Sequence, residues 1–129
     1  PVGNDGGKKI DYSRFPKADV ILVSHEHFDH CDKNIISQLT KEGTAIFANQ
    51  ASSEKLLSCE VLKNGDQRQL NAAVGLQAVP AYNTTPAHAK FHPKGNGNGF
   101  LLNFDGFVVY VSGDTESIEE MKRICHSNR

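Results

Sequence analysis

The stretch Asp19-Val-Ile-Leu-Val-Ser-His-Glu-His-Phe-Asp-His30 decides how the chain folds and what it can bind. Its first half, Asp19 to Val23, is a short continuous apolar run rich in β-branched residues, the pattern of a strand covered on both faces. The run stops at Ser24 and gives way to three of the chain's six histidines within six residues. A polar loop leaving a buried strand is where a rigid scaffold presents chemistry. His25 and His27, two apart in extended backbone, project to the same side and can share one metal ion through imidazole nitrogens at about 2.0–2.1 Å. Asp29 and His30 can serve a second ion as the chain turns. Three crowded imidazoles without a metal would repel one another when protonated and need separate partners when neutral. Nitrogen and carboxylate donors suit zinc best, with iron, manganese, cobalt and nickel accommodated by the same set. The zinc-peptidase helix pattern H-E-x-x-H is not met, because its fifth position, counted from His25, is Asp29.

Outward from this segment, Asp32 is placed to cap a helix with Ile35, Ile36 and Leu39 on one face and Gly43 to stop it. Thr44 to Ala48 reads as a second strand. Asn49 is placed to cap a helix running through Ser58, and Val61 to Lys63 reads as a third strand. Strand and helix alternate, which is the α/β pattern. From the Asn64-Gly65 turn signal the rhythm changes to hairpins: Gln67 to Leu70 and Gly75 to Val79 alternate before Pro80. A long polar segment, Ala81 to Asn98, follows, too irregular for an element of its own. Long ordered loops of this kind are often functional. Gly99 to Phe104 and Phe107 to Val111 flank Asp105-Gly106, a two-residue hairpin signal. A last helix is expected over Ile118 to Ile124, with Glu116, Glu119 and Glu120 at its start and Lys122-Arg123 at its end, as the helix dipole prefers. Gly95-x-Gly97-x-Gly99 has neither the spacing nor the preceding strand of a dinucleotide site.

The 129 residues, 22% charged and 38% hydrophobic, describe one soluble globular domain. Fourteen basic residues (14 Lys+Arg) against 15 Asp+Glu leave a net charge of -1 and no basic stripe, which argues against nucleic acid or a membrane surface as partner. The apolar runs fall far short of the roughly 18 residues of a membrane span, and the opening Pro-Val-Gly-Asn-Asp has no signal-peptide character. Cys31, Cys59 and Cys125, odd in number and widely spaced, read as free thiols of a reducing, cytoplasmic compartment, with a periplasmic or secreted mature form as the alternative.

Taken with Val79-Pro-Ala-Tyr-Asn83, Phe91-His-Pro-Lys-Gly95 and Val109-Tyr-Val-Ser-Gly-Asp-Thr115, the His25-x-His27-x-Asp29-His30 segment resembles the metallo-β-lactamase fold superfamily. The branch it is most similar to holds uncharacterised metal-dependent hydrolases near the ascorbate-phosphate lactonases and the phospholipase D of N-acylethanolamine phospholipids. The resemblance implies an αββα sandwich and two divalent ions, zinc by preference. His25 and His27 would be ligands of the first ion, Asp29 and His30 of the second, and Asp114 the bridge between them. Many relatives place the third ligand of the first ion where this chain has Tyr82-Asn83; the branch it most resembles carries a Phe-His-Pro-Lys segment slightly downstream, so the resemblance implies His92 for that role, with His88 as the weaker candidate. Activity would follow from a metal-bound hydroxide, oriented by Asp29, attacking a small ester, lactone or phosphoester. Asn83, Thr84 and Glu26 are candidates for hydrogen bonds that fix the imidazoles, and Lys94 reads as a solvated surface lysine.

The family fold needs about 200 residues. The expectation is therefore a single domain over 1–129 that is an internal portion of the fold, lacking N-terminal strands and a C-terminal block. Pro1-Val2 resembles the family's segment after an early Asp-Pro step, and His126, in a polar tail, is not taken as the last ligand of the second ion. The alternative is a non-catalytic metal-binding fragment or pseudoenzyme of the same fold. An apolar face left by absent strands would favour a homodimer.

Overall fold

The structure, a computed structural model, describes residues 4, 5 and 8–126, with side chains over 10–124. Pro1-Val2 and the side chains of Cys125 and His126 lie outside the described residues. The chain forms two compact units, Pro1–Val61 and Leu62–Arg129.

In the first unit, β1 (Asn4–Asp5) pairs antiparallel with β2 (Lys8–Lys9), and Asp11 caps a short 3-10 helix, Tyr12–Arg14. A parallel sheet follows, with β3 (Val20–Val23), β4 (Ala45–Ala48) and β5 (Glu60–Val61) side by side in that order. Parallel neighbours need crossover connections, and α1 (Lys33–Leu39) and α2 (Gln50–Ser53) supply them. Val23, Cys31 and Ala48 form the buried centre, with Ile21, Ile36, Ile46, Leu56 and Cys59 packed against it. The Asp32 carboxylate accepts from the backbone N–H of Asn34 and Ile35, as a helix cap should.

Two helix ends differ from the expectation. The first helix ends at Leu39 rather than at Gly43, because Thr40 turns extended and both its N–H and its hydroxyl donate to the Ile36 carbonyl. Gly43, with φ 84°, instead serves the turn into β4. The second helix stops at Ser53 rather than running through Ser58. Ser53 Oγ donates back to the Gln50 carbonyl at 2.6 Å, the competition by which serine weakens helix interiors. Leu56 still packs inward, whereas Leu57 is fully exposed. The third strand is Glu60–Val61, shorter and earlier than expected.

The second unit is a four-stranded antiparallel meander: β6 (Gln67–Asn71), β7 (Val74–Ala81), β8 (Gly97–Phe104) and β9 (Phe107–Val111). Asp105 and Gly106, at φ 51° and 97°, make the β8–β9 turn with the two positive φ values a type I′ hairpin requires. Strand β7 continues through Pro80 to Ala81, past the expected stop. Ala78 exchanges backbone bonds with Gly65 and Asp66 on one side, so Pro80, two positions on, faces that same side. There β6 has not begun, since its first partner, Gln67, lies opposite Gln77. The missing N–H of Pro80 therefore breaks no ladder bond. Leu62, Leu76, Ala78, Phe100 and Ile118 are buried in this unit. Its helix α3, Glu120–His126, begins two residues later than expected, leaving Ile118 buried ahead of it. Among the described residues no helix is long and apolar enough to cross a membrane.

Candidate metal centre

In the first unit β3 anchors Val23 in the core, and the chain leaves the sheet at Ser24. His25 follows at 3% exposure, its Nδ1 held 3.0 Å from Ser24 Oγ. The His27 carbonyl accepts from the N–H of both His30 and Cys31, at 2.9 and 2.8 Å. That tight turn brings His30 back beside the strand end. The imidazoles of His25 and His27 have centroids 4.6 Å apart at 74°, and those of His25 and His30 lie 4.3 Å apart at 36°. Asp29 Oδ2 is 3.6 Å from His30 Nε2, and its side chain is 47% exposed. Buried Cys31 and the Asp32 cap fix the downstream side of the loop.

This donor set fits a divalent cation. His25, almost fully buried, lies in ring contact with both His27 and His30, and imidazoles beside a carboxylate are the donors that zinc and similar ions select. A hydrogen bond at one ring nitrogen commonly sets the other as the ligand atom, and Ser24 supplies that bond at His25 Nδ1.

In the second unit His92 Nε2 lies 3.3 Å from Asp114 Oδ2. Asn83 anchors this histidine twice: its N–H donates to the His92 carbonyl at 2.9 Å, and its Nδ2 is 3.0 Å from His92 Nδ1. Asp114 follows Gly113, whose φ of 65° turns the chain at the end of the β9 run. His88 takes another path, with Nδ1 3.0 Å from Glu116 Oε1. Glu116 also accepts from Thr84 N, Thr84 Oγ1 and Thr85 N, at 2.9, 2.9 and 2.7 Å. The Thr85 N–H first and the His88 ring next hold the Glu116 carboxyl down to about 2.

Lys94 is not simply solvated. Its ammonium lies 3.2 Å from Glu120 Oε1 and 4.8 Å over the Tyr82 ring, and bonds to Tyr82 and then Glu120 raise its pKa. Tyr82 Oη donates to the other Glu120 oxygen at 3.0 Å.

Of the groups expected to orient imidazoles, Asn83 does so. Thr84 instead binds Glu116, and Glu26 accepts from Asn49 Nδ2 at 3.3 Å. Ser24 and Glu116 lie outside the sequence expectation. Ser24 stands next to His25 in the chain, a signal that local hydrogen bonding could have supplied; Glu116 reads there as an ordinary acid ahead of a helix.

Comparison with known proteins agrees with this chemistry. Curated relatives include a UPF0173 metal-dependent hydrolase of Thermodesulfovibrio yellowstonii, 30% identical across 95% of this chain and 51% of the relative. Another, from Agrobacterium fabrum, is 32% identical across 81% of this chain and 47% of its own length. The crystal structure of an inferred metal-dependent hydrolase from Parabacteroides distasonis superimposes with a TM-score of 0.85 at 50% identity, over 89% of this chain and 52% of that one. The chain thus spans about half the length of the curated relatives it matches. Residues 3–127 match the family described as Beta-lactamase superfamily domain, a mixed α/β fold with sheets and few helices. On that match, the chain belongs to the β-lactamase superfamily.

Proposed function

We propose that the chain serves a metal-dependent hydrolase that uses two divalent ions, zinc by preference, on a small ester, lactone or phosphoester. The observation that carries this reading is the packing of the His25, His27 and His30 rings at 4.3 to 4.6 Å, with His25 buried. The names of the relatives, metal-dependent hydrolases, support it.

In this reading His25, His27 and His92 would hold the first ion and Asp29 and His30 the second, with Asp114 contributing its carboxylate to the centre. The ions, when bound, supply Lewis acidity that polarises a carbonyl or phosphoryl oxygen and acidifies water near neutral pH. Ser24 and Asn83 lock the rings of His25 and His92, and Asp29, half exposed beside His30, orients the attacking water and takes up its proton. A near-neutral chain with no basic stripe favours a small-molecule substrate over nucleic acid. The thiols of Cys31 and Cys59, free in this structure, favour a cytoplasmic setting.

The test is metal content per chain by elemental analysis, on protein purified without added metal, beside His27→Ala and His92→Ala. Near two ions in the parent and fewer in both variants is the expected result, followed by turnover of lactones or phosphodiesters. Near zero in the parent, with no uptake on zinc titration, overturns the reading. Full loading without turnover of any ester, lactone or phosphoester selects the non-catalytic metal-binding alternative.

A further inference from the structure

We infer that Glu116 is a positioning residue, which sets His92 and Asp114 in place by gathering the loop between β7 and β8 around its carboxylate. The inference rests on the metal-centre reading above for its consequence, and on the second unit alone for its geometry.

The loop from Tyr82 to Asn96 contains turns but no helix or strand, so little in its own backbone fixes the position of His92. Its first residues are instead tied to one side chain two positions beyond Asp114. Glu116 accepts from the N–H groups of Thr84 and Thr85, the Thr84 hydroxyl and the His88 ring. The Glu116 N–H donates in turn to the Tyr82 carbonyl at 3.1 Å, and Thr115 Oγ1 exchanges bonds with Tyr82 N and O. Backbone and side chain of the 115–116 step therefore hold the whole entry of the loop.

The tie continues to the candidate ligand. His88, fixed by Glu116, presents its carbonyl to Asn83 Nδ2 at 3.2 Å, and that same Nδ2 lies 3.0 Å from His92 Nδ1. His92 Nε2 then meets Asp114. Glu116, His88, Asn83, His92 and Asp114 thus form a closed ring of contacts that starts and ends within three residues of chain. A surface glutamate with no positional role has no need of four converging donors. Charge-assisted bonds of this kind are the stronger class, and Oε2 alone accepts three of the four, two of them from backbone N–H groups.

Glu116→Ala removes both acceptor oxygens at a partly exposed position, Glu116→Gln removes only the charge at nearly constant shape, and Glu116→Asp keeps the charge. His88→Ala, at an exposed ring, cuts the path one step further on without threatening the fold. Three readouts are needed: amide exchange at Thr84 and Thr85, the imidazole nitrogen resonances of His92 and His25 in metal-free protein, and cobalt affinity with its visible spectrum. Glu116→Ala should speed exchange at both threonines, shift His92 while leaving His25 in place, and weaken cobalt binding about 10- to 100-fold with an altered spectrum, and Glu116→Gln should do the same to a smaller extent. His88→Ala should shift His92 as well, and Glu116→Asp should recover part of the parent behaviour. Unmoved His92 resonances together with parent-like cobalt binding would overturn the proposal, even with faster exchange. A parent that takes up no cobalt would refute the metal reading, and the His92 resonances would still decide whether Glu116 positions that ring.

Discussion

Nε2 of His92 stands 3.3 Å from Oδ2 of Asp114, joining the long β7–β8 loop to the segment that follows β9. Asp114 is partly exposed, so its charge is cheaply hydrated and its removal should cost the fold little. Asp114→Asn is expected to leave the urea midpoint within experimental error of the parent and to lower zinc affinity at least tenfold, measured by chelator competition. Unchanged affinity would remove Asp114 from the ligand set.

Gly99 is buried in β8 opposite Val79, and a β-carbon there would lie 2.8 Å from the Ser112 carbonyl, 3.1 Å from that of Val111 and 3.2 Å from Val79 Cγ2. Two of the three neighbours are backbone and cannot swing aside. Gly99→Ala should therefore destabilise by about 1–3 kcal/mol, read as a lower urea midpoint at constant slope.

Asp32 caps α1 through two backbone N–H groups directly after the His30-Cys31 step. Asp32→Ala should remove about 1 kcal/mol of stability. Because the freed helix end adjoins the His27 turn, metal affinity should fall as well; Asp32→Ser, which keeps a capping oxygen, should restore both.

Cys59 packs against the first unit's core, and burial first, then the neighbouring Cys31, pushes its thiol pKa up. Alkylation proceeds through the thiolate, so its rate at Cys59 should keep rising with pH past the ordinary thiol midpoint of about 8.5. Peptide mapping after iodoacetamide treatment across pH 7 to 10, chosen to span that value, would contradict this if the rate levelled off below it.

Features whose cause is local are legible in the sequence. Asp32 and Asn49 cap helices because their side chains reach backbone two or three residues on, and Asp105-Gly106 turns because both positions tolerate positive φ. The apolar, β-branched run at Val20–Val23 forms the strand that its pattern predicts, with Val23 buried and the other three partly so. Features set by distant partners are not legible in this way. The course of β7 through Pro80 depends on where β6 begins; the α2 stop is local, Ser53 Oγ bonding a carbonyl three residues back, a competition that the helix pattern does not display. At the candidate site, the clustering of His25, His27 and His30 is written in their spacing, whereas the bond between His88 and Glu116 spans 28 residues and carries no short-range signal.

The passage of β7 through Pro80 has a further consequence for how molecules meet in a crowded solution. A strand margin with alternating free donors and acceptors is a template that a foreign chain can copy, which is how soluble proteins begin to aggregate. Beyond the reach of β6, the margin of β7 offers at Pro80 a position with no hydrogen to give, and the preceding one on that side, Ala78, has both its backbone groups engaged by Gly65 and Asp66. A stray extended peptide finds no ladder to continue there. One imino acid and one turn act together as a guard on the sheet, at the end from which the His92 loop departs.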